Sequence, residues 1–380
     1  MTNSRSTLSL LLPVIIGSML GGLSLYYLND KDEKLDLEKL ALGDETSSQF
    51  SQFMGVPVHC EDIDDAFQCI DGYKKYSNNN VILWLGNSQL HSINQMKAGD
   101  ETASSILHRC MKSYSKYNMT FSQPNAGLQE HYVLFEYISR QLPISTLVLP
   151  VVFDDMRETG IRSSLLGIFS DLYVVDQLKV SEIGKLLLKN NGDKDSAGND
   201  IAALDKTVQE NSERYLNEKL KSFWQIWADR PALRGRLFVS LYKLRNWAFG
   251  INPSSTRKMM PARYTMNLQA LEAILTSAIE KDIEVLLYIV PLRSDVKVPY
   301  DLVQYNKFKV KIRDVAQKFD VKFKNYEKLV PTKNWGTKES TTLNGDQEID
   351  FMHFQAGGHK LLASALCKEL KDIDRAERRK

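Results

Sequence analysis

The sequence predicts an α/β domain in which a parallel five-stranded sheet lies between two layers of helices. Three observations carry that expectation. Val81, Ile82, Leu83, Trp84 and Leu85 form an apolar run without alternation, the pattern of a strand buried on both faces. Four more short strand-like stretches, at 119–122, 146–153, 284–290 and 321–324, alternate with helix-length segments at 102–117, 128–141, 267–281, 305–319 and 356–370. The first run breaks abruptly into Gly86-Asn87-Ser88-Gln89, which sets polar side chains at the carboxyl edge of the sheet, where open α/β folds put their chemistry. Right-handed crossovers then give the flavodoxin-like strand order 2-1-3-4-5.

Taken in order, the chain of 380 residues begins with a short tail, residues 1–7, followed at 8–28 by a stretch without a charged residue. As a helix that stretch spans about 31 Å, enough for a bilayer core. It is long for a signal peptide and no Ala-x-Ala site follows, so it is expected to remain as a transmembrane anchor. Arg5 precedes it and Asp30-Lys31-Asp32-Glu33-Lys34 follows it, so the tail is expected in the cytoplasm and the rest outside, in the periplasm or extracellular space. Residues 29–75 read as a tether and leading segment, 76–371 as the α/β domain and 372–380 as a charged tail. The 49 basic and 47 acidic residues nearly cancel, and no nucleic-acid partner is expected.

Chemistry concentrates in two distant stretches. A Gly-x-Ser turn at the end of a strand is weak evidence alone. Far downstream, Asp350-Phe351-Met352-His353 precedes the closing helix, a spacing that lets a carboxylate hold an imidazole in one tautomer, with its other nitrogen free to take a serine proton. The chain order Ser88, Asp350, His353 and the Asp-x-x-His spacing together resemble the SGNH (GDSL-type) serine hydrolases and acyltransferases, a three-layer α/β/α family. The resemblance covers most of residues 81–370 except an insert. It implies Ser88 as nucleophile, His353 as base and Asp350 as the orienting carboxylate. Asn87 stands where the family has Asp.

The family's second motif places a glycine at a helix start as oxyanion donor, and Gly127 in Gln123-Pro124-Asn125-Ala126-Gly127 matches it. The third motif, Gly-x-Asn-Asp, meets Val152-Phe153-Asp154-Asp155, so both Gly and Asn are missing. Asp154 falls at the Asn, and Arg157 is expected to pair with it and supply the lost donor. Asn87, Asn125 and His91 are the candidate substrate contacts. The resemblance, with the anchor, implies an esterase or O-acyltransferase on acyl esters, acetyl above all, of a cell-envelope polysaccharide, alongside a membrane-bound O-acyltransferase. A scaffold with a decayed site, binding a glycan or that partner, is the competing expectation.

The insert, residues 160–265, is too long for a plain loop. Its stretch 230–263 carries Arg230, Arg234, Arg236, Lys243, Arg245, Arg257, Lys258 and Arg263 without an acidic residue, interleaved with aromatics, and reads either as a surface for anionic headgroups or polymers or as a lid with a solvated basic face. Of the four cysteines, Cys60 and Cys69 can pair in an oxidising compartment, whereas Cys110 and Cys367 fall on apolar helix faces and read as core thiols. No Cys/His cluster has zinc spacing, and no metal or cofactor is expected.

Overall fold

The computed structural model describes residues 45–61, 63–77, 79–192, 255–338 and 347–377. The candidate anchor at 8–28, the larger part of the insert and most of its basic stretch lie outside them. Among the described residues no helix is long and apolar enough to cross a membrane.

The chain enters through four short strands, β1 (Thr46–Ser48), β2 (Gln52–Phe53), β3 (Val56–Pro57) and β4 (His59–Cys60), and a helix, α1 (Ile63–Tyr76). Next come β5 (Asn80–Gly86), the single turn α2 (Ser88–His91), β6 (Ser92–Asn94), α3 (Ala103–Lys112), β7 (Lys116–Ser122), α4 (Leu128–Ser139) and β8 (Ile144–Val151). The described part of the insert forms a 3-10 helix at Ser163–Ser170 followed by α5 (Leu172–Leu178) and α6 (Glu182–Gly192). The α/β rhythm resumes with α7 (Pro261–Glu280), β9 (Glu284–Ile289), α8 (Leu302–Lys318) and β10 (Lys322–Asn325), and the chain closes through β11 (Trp335–Lys338), β12 (Glu348–Phe354) and α9 (Ala356–Glu377).

Local chemistry sets several of these boundaries. Pro261 opens α7, where its missing N–H costs nothing, and the Asp301 side chain caps α8 by accepting from Gln304 N. Asp282 and Asp320 adopt positive φ just past α7 and α8, a conformation that Asp tolerates better than most residues, and so turn the chain directly into β9 and β10.

The main sheet has the order β10-β9-β8-β5-β7-β4, with every neighbouring pair parallel. Five of these strands stand in the expected order. The sixth is the two-residue β4, an edge strand from the leading segment that the five-stranded expectation lacks. The chain steps from β5 to β7 and then crosses back past β5 to β8, so right-handed crossovers put α3 and α4 on opposite faces. The remaining helices follow suit, with α9 packed on α3 and α7 packed on α4. Both faces of β5 are therefore covered, and Val81 to Leu85 are fully buried. Burial of such side chains stabilises by about 1.5–3 kcal/mol each. The Trp84 indole N–H spends its polarity inside the core, donating to the Tyr288 hydroxyl at 3.2 Å.

All four cysteines are paired. The Cys60–Cys69 disulfide ties β4 to α1. The thiol reading of Cys110 and Cys367 is corrected, because α3 and α9 lie side by side with these Cα atoms 6.4 Å apart, and the two sulfurs form a second disulfide.

Candidate active site

Gly86 ends β5 without left-handed backbone. What it supplies is room, since a Cβ there would stand 2.3 Å from Leu90 Cδ1 of α2. With α2 packed so closely on the strand end, Asn87 acts as its cap, accepting from Gln89 N at 3.1 Å. Ser88 follows, half-buried, at the carboxyl edge of the sheet. Gln89 is buried and its amide donates to Met352 O at 2.8 Å and to Pro291 O at 2.9 Å, which fastens the turn bearing Ser88 to β12.

The other half of the site lies on β12, a strand paired antiparallel with β11. Asp350 is buried. One of its oxygens accepts from Met352 N and His353 N, both at 2.9 Å, and the other lies 2.9 Å from His353 Nδ1. The second ring nitrogen, Nε2, lies 2.9 Å from Ser88 Oγ. Burial, the largest influence on Asp350, would raise its carboxyl, but the charge of His353 and its hydrogen bonds outweigh it and hold the carboxyl down at about 2. A carboxylate that stays ionised fixes the proton on Nδ1 and leaves Nε2 as the acceptor for the Ser88 proton.

The candidates around this triad fare differently. The Gly127 N–H, read as an oxyanion donor, is spent on the Glu130 carboxylate at 3.2 Å, and that carboxylate is clamped by Arg162 through Nε at 2.8 Å and Nη2 at 2.7 Å. Asp154 does pair with Arg157, at 3.4 Å, but it also accepts from the Tyr300 hydroxyl at 3.0 Å and from Arg257 Nη1. Arg157 further directs Nε to Lys258 O at 3.0 Å. The Ser88 N–H has no protein acceptor among the described residues and is the backbone donor left at the turn.

Two of the three expected substrate contacts are corrected. His91 is fully buried, with Nδ1 2.6 Å from Ser122 Oγ, and His59 Nε2 approaches the same hydroxyl at 2.6 Å. Asn87 is buried, and its amide nitrogen lies 3.3 Å from each carboxylate oxygen of Asp155. Burial pushes the Asp155 carboxyl well up, against the Asn87 hydrogen bond, and the charges of Asp154, Glu158 and Glu130 push the same way. Asn125 sits exposed in a left-handed turn after β7.

Asp155, Tyr300 and Arg257 escaped sequence reading as site residues. Asp155 falls at the closing Asp of the third motif, one position past the residue expected at the oxyanion. Tyr300 and Arg257 carry no motif and reach the site only through packing. No group of three or more His, Cys, Asp or Glu among the described residues could hold a metal ion.

No family model and no curated protein matches the chain by sequence. Among solved structures it aligns with a provisionally assigned acylhydrolase from Bacteroides fragilis, at 8% identity and TM-score 0.34, over 78% of this chain and 89% of that one. A GDSL-like lipase from Bacteroides thetaiotaomicron aligns at 10% identity and TM-score 0.33, over 77% of this chain and 89% of that one. A provisionally assigned GDSL-like lipase from Parabacteroides merdae aligns at 11% identity and TM-score 0.34, over 76% and 94%. Likeness at this level carries no weight for fold or chemistry.

Proposed function

We propose that the chain is a serine esterase or O-acyltransferase of the SGNH (GDSL) type, working through an acyl-Ser88 intermediate. The observation that carries this reading is the unbroken hydrogen-bonded line from Ser88 Oγ through His353 to Asp350, with 2.9 Å at each step. Ser88 Oγ attacks the acyl carbonyl while its proton passes to His353 Nε2. The ester oxygen leaves as an alcohol, taking that proton. A second hydroxyl, from water in an esterase or from a sugar in a transferase, then attacks the acyl-serine, with His353 again receiving and returning the proton. Asp350 keeps the imidazole oriented and stabilises its cation.

Of the expected backbone oxyanion donors, the Gly127 N–H is spent on Glu130 and the Ser88 N–H is left, and one missing donor costs about 10²–10³ in kcat. A slow enzyme is therefore expected rather than a dead one. The decayed-scaffold reading draws on the same observation, since Gly127 and Asp154 are both otherwise engaged.

The substrate reading, an acyl ester on a cell-envelope polysaccharide with a membrane-bound O-acyltransferase as partner, rests on the candidate anchor and on both disulfides. A chain with every cysteine paired suits an oxidising compartment. A reporter fused after the last residue, active only when exported, tests the placement. Acetyl donor and protein, quenched in acid and digested, test the chemistry: the Ser88 peptide gains the mass of one acetyl group, and its failure to do so with any activated ester favours the scaffold.

A further inference from the structure

We propose that Arg257 is a substrate-binding residue whose guanidinium takes an anionic group, a carboxylate or a phosphate, on the ester that Ser88 attacks. This rests on the esterase reading above and narrows its substrate to acidic molecules.

Arg257 is held on three sides. Its Nη1 donates to Asp154, its guanidinium carbon lies 5.1 Å from the centre of the Phe351 ring, and its backbone is pinned by hydrogen bonds to Pro299 O at 2.8 Å and from Asp301 N at 3.0 Å. Both side-chain supports adjoin the catalytic residues. Asp154 precedes Asp155, which holds the Asn87 that adjoins Ser88, and Phe351 directly follows Asp350. The side chain is nevertheless 32% exposed, and its Nε and Nη2 donors have no protein acceptor among the described residues.

Charge points the same way. Arg157 and Arg257 share the single carboxylate of Asp154, so the group keeps a formal charge of one positive unit, with the exposed Lys258 beside it. A guanidinium fixed by a carboxylate and a ring loses little freedom on binding, and its remaining fork matches carboxylate or phosphate oxygens.

The test compares the full chain with Arg257→Gln on three esters: 4-acetoxybenzoate, its neutral methyl ester and 4-acetoxyphenyl phosphate. The quantity read is the ratio of kcat/KM for each anionic ester to that of the neutral one. The wild type favours one or both anionic esters, and the ratio falls about 10–100-fold in Arg257→Gln, the range for losing a charged hydrogen bond. Which ester shows the larger fall tells carboxylate from phosphate. An unchanged ratio in the variant, or no anionic preference in the wild type, overturns the proposal. If the wild type hydrolyses none of the esters, the esterase reading fails separately. Calorimetry with 4-hydroxybenzoate and phenyl phosphate then decides Arg257 without turnover: anion binding lost in Arg257→Gln upholds it, and equal or absent binding in both proteins overturns it.

Discussion

The amide nitrogen of Asn87 lies 3.3 Å from each carboxylate oxygen of Asp155, which ties the residue before the nucleophile to the turn following β8. Asn87 stands where the SGNH motif has Asp before the serine, and its partner Asp155 falls at the Asp that closes the third motif. Asn87→Asp alone sets two carboxyl groups face to face in a buried site and is expected to lose about 2–4 kcal/mol of stability. Adding Asp155→Asn restores one amide and one carboxyl, and the double variant should recover most of that loss. Denaturant melts of the wild type, Asn87→Asp and the double variant measure it, and a double variant no more stable than Asn87→Asp would refute the pairing.

Asp350 controls the tautomer of His353 in this account. Asp350→Asn should lose some stability, because the fold favours the ionised carboxylate, yet stay folded and slow acylation of Ser88 by about 10⁴-fold. Stopped-flow acylation by an activated ester reads the rate directly. A loss of less than about tenfold would mean that Asp350 is only structural.

Acid should unfold this domain early, because its buried rings stay unprotonated only in the fold. Burial lowers His131 and His359 to about 3 and His59 well below its usual 6.5. Below pH 6.5 the unfolded chain takes up protons that these rings refuse in the fold, so stability falls as pH drops, by about 1.4 kcal/mol per pH unit for each. The depressed Asp350 acts in the same direction lower down, its contribution present above its ordinary value near 3.8 and lost as pH falls through about 2. Three such histidines together lose about 4 kcal/mol per pH unit, so a total of about 5–15 kcal/mol places the acid midpoint at roughly pH 3–5. His131→Leu removes one buried ring whose Nε2 has no hydrogen-bond partner among the described residues. Its acid midpoint should move to lower pH, and a midpoint that stays put would contradict the assignment.

Much of this architecture was legible because its signals are local. The unbroken apolar run from Val81 to Leu85 announces a strand buried on both faces, and the Asp350-x-x-His353 spacing puts carboxylate and imidazole within reach whatever the rest of the chain does. The missed features depend on long-range packing. Whether Cys110 meets Cys367 depends on α3 lying beside α9. The Gly127 N–H looked available until Glu130, three residues on, folded back to take it. His91, so near the nucleophile in sequence, turns inward because Ser122 and His59 wait beneath the sheet edge. Arg257 belonged to a basic stretch whose charge alone said nothing of the one carboxylate it would find.

The central claim is that Ser88 is a nucleophile activated by His353, and a serine-reactive fluorophosphonate tests it most directly. The wild type should be labelled at Ser88 alone, His353→Ala should label at least 10²-fold more slowly, and Ser88→Ala should not label at all. Equal labelling of the wild type and Ser88→Ala, or a wild type that resists the probe while folded, would contradict the account.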